Sequence, residues 1–186
     1  MTGLSGSIVA IVTPFKEDRG VDFEALERLV DFHLANGTDG ILVLGTTGES
    51  STMTDREDYE VATCVVDRVA GRIPVIGGSG SNSTDESLRK SLGLQKLGVD
   101  GLLIITPYYN KSNEEGIYHH LNSVLDAVNL PCILYNIPGR TGCSISEKNL
   151  ARLSRHPNAW GLKEASGNIA YAATAARYVS EDFHLF

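Results

Sequence analysis

The sequence predicts an α/β fold, a (β/α)8 TIM barrel, of which this chain covers about the first six units and the start of strand seven. Three observations carry that reading. Short apolar runs recur with successive starts roughly 25–35 residues apart, the size of one strand-plus-helix unit. Amphipathic stretches of helical period lie between them. The glycine fingerprint of a dinucleotide-binding sheet is absent after the first run, where Pro14 and Phe15 stand instead. Alternating units make a parallel sheet, and without that fingerprint a barrel is preferred to a doubly wound sheet.

The expected strands are Ile8–Val12, Ile41–Leu44, Pro74–Ile76, Leu102–Ile105, Cys132–Tyr135, Trp160–Lys163 and Phe183–Phe186. Most lack polar alternation, as expected of parallel strands buried on both faces. In the first helical stretch Phe23, Leu26, Leu29, Val30 and Leu34 fall on one face; in the second Ala62, Val65, Val66 and Val69 do so. Three helices open on a capping-box pattern: Thr54 with Glu57, Ser83 with Glu86, and Ser112 with Glu115. Two segments are near copies, Gly37-Thr38-Asp39-Gly40-Ile41-Leu42-Val43-Leu44 and Gly98-Val99-Asp100-Gly101-Leu102-Leu103-Ile104-Ile105. Each makes a helix-to-strand turn, glycine stopping the helix and Asp-Gly redirecting the chain. A closed barrel needs eight strands and typically about 250 residues. The expectation is therefore one barrel domain over 1–186, truncated at its C-terminal side.

Bulk properties exclude several functions. The net charge of −7 argues against a nucleic-acid or anionic-membrane surface. No window has the apolar length of a membrane helix, and the run Ile8–Val12 is too short for a secretion signal. Cys64, Cys132 and Cys143 are odd in number and far apart, implying neither a disulfide framework nor a metal knuckle. The expected location is the cytoplasm. The Asn-x-Ser/Thr triplets at Asn36, Asn82 and Asn110 then read as chance. The five histidines, His33, His119, His120, His156 and His184, have no metal-ligand spacing, and Asp55, Glu57, Asp58 and Glu60 read as a solvated helix face.

Among six lysines only Lys163 lies inside a strand-like apolar run, Ala159-Trp160-Gly161-Leu162-Lys163. Sequestering an ammonium favours the neutral amine, and a neutral amine condenses with carbonyls as a Schiff base. The competing reading is a strand-end lysine facing solvent or pairing with the adjacent Glu164. Barrel sites form at the carboxyl ends of strands. Those ends carry Gly45-Thr46-Thr47-Gly48-Glu49-Ser50, Gly77-Gly78-Ser79-Gly80, Thr106-Pro107-Tyr108-Tyr109-Asn110, Tyr135-Asn136-Ile137-Pro138-Gly139-Arg140-Thr141-Gly142 and Lys163-Glu164. Hydroxyls and amides of a glycine-rich turn suit a small carboxylate, arginine binds carboxylates bidentately, and a phenol can shuttle protons. Taken singly, each has a structural alternative: a tight turn for Gly45–Glu49, core or interface aromatics for Tyr108 and Tyr109, a surface arginine for Arg140.

In order, the Gly45–Ser50, Thr106–Asn110, Tyr135–Gly142 and Gly161–Ala165 motifs resemble those of dihydrodipicolinate synthases, within the pyruvate-dependent class I aldolase superfamily. The resemblance runs from about Gly6 to the chain end. Thr46-Thr47 together with Arg140 favours the synthases over sialic-acid and sugar-acid lyases. The resemblance implies a cytoplasmic lyase of lysine and diaminopimelate biosynthesis that condenses pyruvate with aspartate semialdehyde. Its implied form is a homotetramer, a dimer of dimers, with no metal or organic cofactor. By the same resemblance Lys163 forms the Schiff base and Tyr135 is the general acid and base. Thr46 and Tyr109 complete a hydroxyl relay, Tyr109 from a neighbouring subunit. Thr47 holds the pyruvate carboxylate, and Arg140 meets the carboxylate of the semialdehyde. The family's lysine-inhibition pocket would map to Ser50, Ser51, Asp55, Asp58, Asn82, Glu86 and Tyr108. Asn82, Glu86 and Tyr108 agree with its pattern, whereas Asp55 and Asp58 stand where some lysine-sensitive members carry histidines. The rival readings are a related pyruvate aldolase with another aldehyde, and a non-catalytic fragment lacking the last barrel strands.

Overall fold

Apolar strands and amphipathic helices alternate along the described residues, 6–186, of the computed structural model. They form two compact units, the first made of residues up to 78 together with 93–101, the second of 79–92 together with 102–186.

The first unit holds β1 (Ile8–Ala10), α1 (Phe23–Ala35), β2 (Gly40–Val43), α2 (Asp55–Val69) and β3 (Val75–Gly78). β1 pairs with β2 and β2 with β3, both parallel. Leu26 and Val30 of α1 and Val61, Ala62, Val65 and Val69 of α2 are buried, as are Ile41 and Val43 of β2. The helical stripe read from the sequence is thus the packing face. β1 ends two residues earlier than expected, where Val12 emerges to 46% exposure.

Next in the chain comes α3 (Thr84–Leu97). There follow β4 (Gly101–Ile105), α4 (Glu114–Ala127), β5 (Cys132–Asn136), the single turn α5 (Pro138–Thr141), α6 (Glu147–Leu153), β6 (Ala159–Glu164), α7 (Ile169–Ala175) and β7 (His184–Leu185). Within the second unit β4, β5, β6 and β7 pair in sequential order, again all parallel. Its core includes Leu102, Ile104, Leu121, Leu125, Leu134, Leu150, Leu153, Leu162 and Phe183. In each unit every new strand is added on the same side as the last. A doubly wound sheet reverses its order, so the sequential order is that of a singly wound barrel.

The two near-copy segments do the same work. Gly37 and Gly98 take positive φ, 74° and 88°, conformations that glycine adopts without steric cost. Asp39 Oδ2 then accepts the Ser7 N–H at 2.7 Å while its own N–H donates to Ser7 O. Asp100 Oδ2 accepts the Val75 N–H at 2.8 Å, and its N–H donates to Val75 O. Each aspartate ties the start of its strand to the start of the preceding one.

Of the three expected capping boxes, one is complete. Thr54 Oγ1 accepts the Glu57 N–H, and Glu57 Oε2 accepts the Thr54 N–H. At Ser83 only half forms, because the Ser83 N–H donates to Ser81 Oγ and the Glu86 carboxylate accepts the Ser81 hydroxyl at 2.7 Å. Ser112 is not the cap of α4: Asn113 accepts the Gly116 N–H at 2.8 Å. Glu115 turns instead to Lys148 and Arg152 of α6, both at 3.0 Å, and these hydrogen bonds hold its carboxyl down to about 2. The acidic face of α2 also needs correction. Asp55 and Glu60 are exposed, but Asp58 is buried and Oδ2 accepts the Ser50 hydroxyl at 3.1 Å.

Candidate active site

The site of the second unit is set by strand register. β5 and β6 start in step, Cys132 opposite Ala159, and then shift so that Ile133 faces Gly161. Trp160 is the extra residue, a β-bulge. Its indole packs on His184 of β7, ring centroids 4.5 Å apart. Beyond the bulge Tyr135 stands opposite Lys163 and Asn136 opposite Glu164. Without it Lys163 would face Asn136, because a one-residue slip changes every cross-strand partner.

Lys163 is half-buried, and its Nζ lies over the Tyr135 ring, 4.3 Å from the centroid. Among the described residues it has no carboxylate partner. Burial lowers its pKa from the ordinary lysine value. A ring face attracts a cation, but desolvation is the effect that decides the direction here. Burial also raises the Tyr135 pKa, against a smaller opposite pull from Arg140. The pair is therefore an amine biased toward its neutral form beside a phenol that keeps its proton.

The pleat sends the next residues to the opposite face. There Asn136, fully buried, donates from Nδ2 to Glu164 Oε2 at 2.7 Å. Asn136 Oδ1 accepts the Ile145 N–H at 3.0 Å and the Ser144 hydroxyl at 3.1 Å. Glu164 Oε1 accepts the Ser166 N–H at 2.6 Å. Glu164 is thus engaged away from Lys163, which removes the ion pair that competed with the Schiff-base reading. This network had no role in the sequence reading. Its signal was strand alternation: once Tyr135 and Lys163 share a face, the asparagine and glutamate that follow share the other.

Arg140 lies exposed on α5, whose first residue is Pro138, a favoured residue there because its fixed φ suits a helix start. Thr141 behind it is buried, and its hydroxyl donates to Ile137 O. The Thr141 carbonyl accepts the Tyr109 N–H at 3.2 Å. Tyr109 has φ +70° and its side chain is 88% exposed, while Tyr108 is 36% exposed. A left-handed tyrosine costs backbone strain, and here it sends the ring outward. Thr106, in the same segment, is fully buried, and its hydroxyl has no hydrogen-bond partner among the described residues.

Thr46 and Thr47 belong to the first unit. They are exposed on a 3-10 turn, Thr46–Gly48, that follows β2. The turn is fixed from beneath: Thr13 Oγ1 donates to Gly48 O at 2.7 Å, and a Cβ at Gly48 would press on Ile11 O. It ends at Glu49 in the left-handed region, φ 59°.

The residues matching the lysine pocket divide between the units. In the first, Ser50 hydrogen-bonds Asp58, while Ser51 and Asp55 are exposed. In the second, Asn82 accepts at its carbonyl from Asn110 Nδ2 at 3.0 Å, and Glu86 accepts from Ser81 and faces Lys90 at 3.7 Å. Among the described residues no group of three or more His, Cys, Asp or Glu side chains is arranged to hold a metal ion. Among the described residues no helix is long and apolar enough to cross a membrane.

Parallel strands in sequential order, with a half-buried lysine near the end of β6 that has no carboxylate partner among the described residues, define a protein of the singly wound α/β barrel class. The chain belongs to the dihydrodipicolinate synthetase family, whose sequence model matches residues 3–186. It is 54% identical over 171 residues to the 4-hydroxy-tetrahydrodipicolinate synthase of Caldicellulosiruptor saccharolyticus, covering 92% of this chain and 58% of that protein. It is 48% identical over 183 residues to the synthase of the same name from Ectopseudomonas mendocina, covering 98% of this chain and 63% of that one. Among solved structures it resembles dihydrodipicolinate synthase from Aquifex aeolicus, with TM-score 0.93 and 43% identity over 97% of this chain and 62% of that one. The enzyme from Cyanidioschyzon merolae, solved with lysine bound, gives TM-score 0.93 and 44% identity over the same shares, 97% and 62%. That from Acinetobacter baumannii, complexed with pyruvate, gives TM-score 0.93 and 42% identity, again over 97% and 62%. The chain spans about three-fifths of the length of these relatives. The expected barrel class agrees with these neighbours.

Proposed function

We propose that this chain belongs to a 4-hydroxy-tetrahydrodipicolinate synthase, condensing pyruvate with L-aspartate 4-semialdehyde in lysine and diaminopimelate biosynthesis. The observation that carries the reading is Lys163 Nζ, half-buried over the Tyr135 ring with no carboxylate partner among the described residues. The named activity of relatives at 54% and 48% identity supports it.

In this reading neutral Lys163 adds to the keto carbon of pyruvate. The carbinolamine loses water to give a protonated imine, and loss of a methyl proton gives the enamine. The imine nitrogen is the electron sink for that step. The enamine carbon attacks the aldehyde of the semialdehyde, and the aldehyde oxygen takes up a proton. The semialdehyde's amino group then attacks the imine carbon, closing the ring and expelling Lys163 as the free amine. Tyr135 moves the protons at these steps, a phenol whose burial keeps it protonated and able to donate. Thr46 and Tyr109 serve as its relay. The exposed Tyr109 ring is suited to reach a neighbouring chain of a homotetramer, a dimer of dimers. Thr47 holds the pyruvate carboxylate and Arg140 that of the semialdehyde, the guanidinium offering a bidentate fork. By the resemblance Ser50, Ser51, Asp55, Asp58, Asn82, Glu86 and Tyr108 are the residues that would bind lysine, a reading supported by the Cyanidioschyzon merolae relative solved with lysine bound. The compartment is the cytoplasm.

The test is pyruvate with borohydride, followed by peptide mapping. A reduced pyruvate adduct on Lys163 is expected, with aspartate semialdehyde outcompeting other aldehydes in consuming the enamine. An intact Lys163 after treatment would sink the proposal.

A further inference from the structure

We propose that Asn136 and Glu164 form a positioning pair: their hydrogen bond on the reverse face of β5–β6 locks the bulged register that sets Lys163 Nζ over the Tyr135 ring. The inference rests on the Schiff-base reading and extends it to residues that touch no substrate.

The argument starts from the bulge. A parallel pair of strands has no hairpin turn to define its register, and β5 and β6 carry a one-residue irregularity between Cys132 and Ile133. Two alignments compete beyond that point. In the unshifted one Tyr135 would face Leu162 and Lys163 would face Asn136. In the observed one Tyr135 faces Lys163 and Asn136 faces Glu164. Only the observed alignment lets Asn136 Nδ2 meet Glu164 Oε2, at 2.7 Å.

The rest of the network fixes both partners. Asn136 is completely buried, and its Oδ1 is consumed by Ile145 N–H and Ser144 Oγ. Its backbone carbonyl accepts the Ala165 N–H at 2.9 Å, carrying the ladder past Glu164. The second carboxylate oxygen of Glu164 accepts the Ser166 N–H. Ile145, which Asn136 holds by its N–H, is held at its carbonyl by the Tyr171 hydroxyl at 2.6 Å. In slipped register the buried Asn136 Nδ2 would lose Glu164, and an unmet buried donor disfavours the slip. The same pair keeps the only carboxylate adjacent to Lys163 in sequence on the far face, so the amine acquires no ion-pair partner.

The test compares Glu164→Gln, Glu164→Ala and Asn136→Ala in the chain, reading the rate of borohydride-trapped pyruvate adduct at saturating pyruvate, with circular dichroism to confirm folding. Glu164→Gln retains one acceptor oxygen for Asn136 but sets its NH2 against the Ser166 N–H that the second carboxylate oxygen accepted, so it is expected to lose about 3-fold, clearly less than Glu164→Ala. The two alanine variants are expected to lose about 10-fold or more, the order of effect of misplacing a reacting group. Alanine variants that fold and trap at the unsubstituted rate overturn the proposal. So does a glutamine variant that falls as far as Glu164→Ala, since an acceptor retained for Asn136 would then do nothing for the rate. If Asn136→Ala does not fold, the two Glu164 variants decide alone. If Glu164→Ala does not fold either, the pair serves folding and the positioning role is rejected. An unsubstituted chain that captures no pyruvate removes the Schiff-base reading, and this inference with it.

Discussion

Lys163 and Tyr135 are cross-strand partners, the amine nitrogen 4.3 Å from the centre of the phenol ring. The relationship pairs a depressed amine with an elevated phenol, and both shifts come first from burial.

Burial favours neutral Lys163, so pyruvate capture should rise with pH through a midpoint below the ordinary lysine range. Because the folded lysine releases its proton before the unfolded one does, the unfolded chain binds more protons between the two pKa values. Stability therefore rises with pH across that window. Borohydride-trapping rate against pH measures the midpoint. A midpoint at the value of a free lysine would show that burial leaves the amine unperturbed.

Tyr135→Phe keeps the ring beside Lys163 and removes the phenol. Turnover should fall by about 10²-fold or more, with a smaller loss in the imine-capture step measured by trapping. Equal losses in both would remove Tyr135 from proton transfer. Lys163→Ala should abolish capture and leave the far-ultraviolet dichroism unchanged.

Asp39 and Asp100 each join two strand starts by a carboxylate and an amide. Replacing either by Ala should cost about 1 kcal/mol, the net worth of such a hydrogen bond, read as a lower urea midpoint with unchanged slope. The two losses should add, since the sites share no partner. A stability equal to that of the parent chain would reduce the repeat to a turn signal.

Asn113→Ala should destabilise α4 by about 1 kcal/mol, as loss of an N-cap does, whereas Ser112→Ala should change the urea midpoint little. The reverse order would restore Ser112 as the cap.

Much of this arrangement was legible in the residues. The apolar runs lie within about two residues of the observed strands, because burial on both faces demands uninterrupted apolar side chains. Lys163 stood out since an ammonium in such a run is costly. Asp58 did not stand out as buried, because its helical spacing is that of a solvated face and only the Ser50 hydroxyl draws it in. Ser112 with Glu115 fits the local capping-box pattern, yet Asn113 is the cap. The structure gives that glutamate to Lys148 and Arg152 of another helix, a partnership invisible at short range.

By itself the sequence determined the order of strands and helices, the turns at Gly37 and Gly98, and the one lysine set inside an apolar strand run. These follow from local rules: periodicity, steric freedom and the desolvation of charge. Tertiary structure alone decided the bulge at Trp160 and the pairing of Tyr135 with Lys163. It also decided the network of Asn136, Glu164 and Ile145 behind them. The reason is that strand register is a contest between whole alignments, settled by hydrogen bonds between residues such as Asn136 and Glu164, 28 apart in the chain. No window of local sequence contains both sides of that contest.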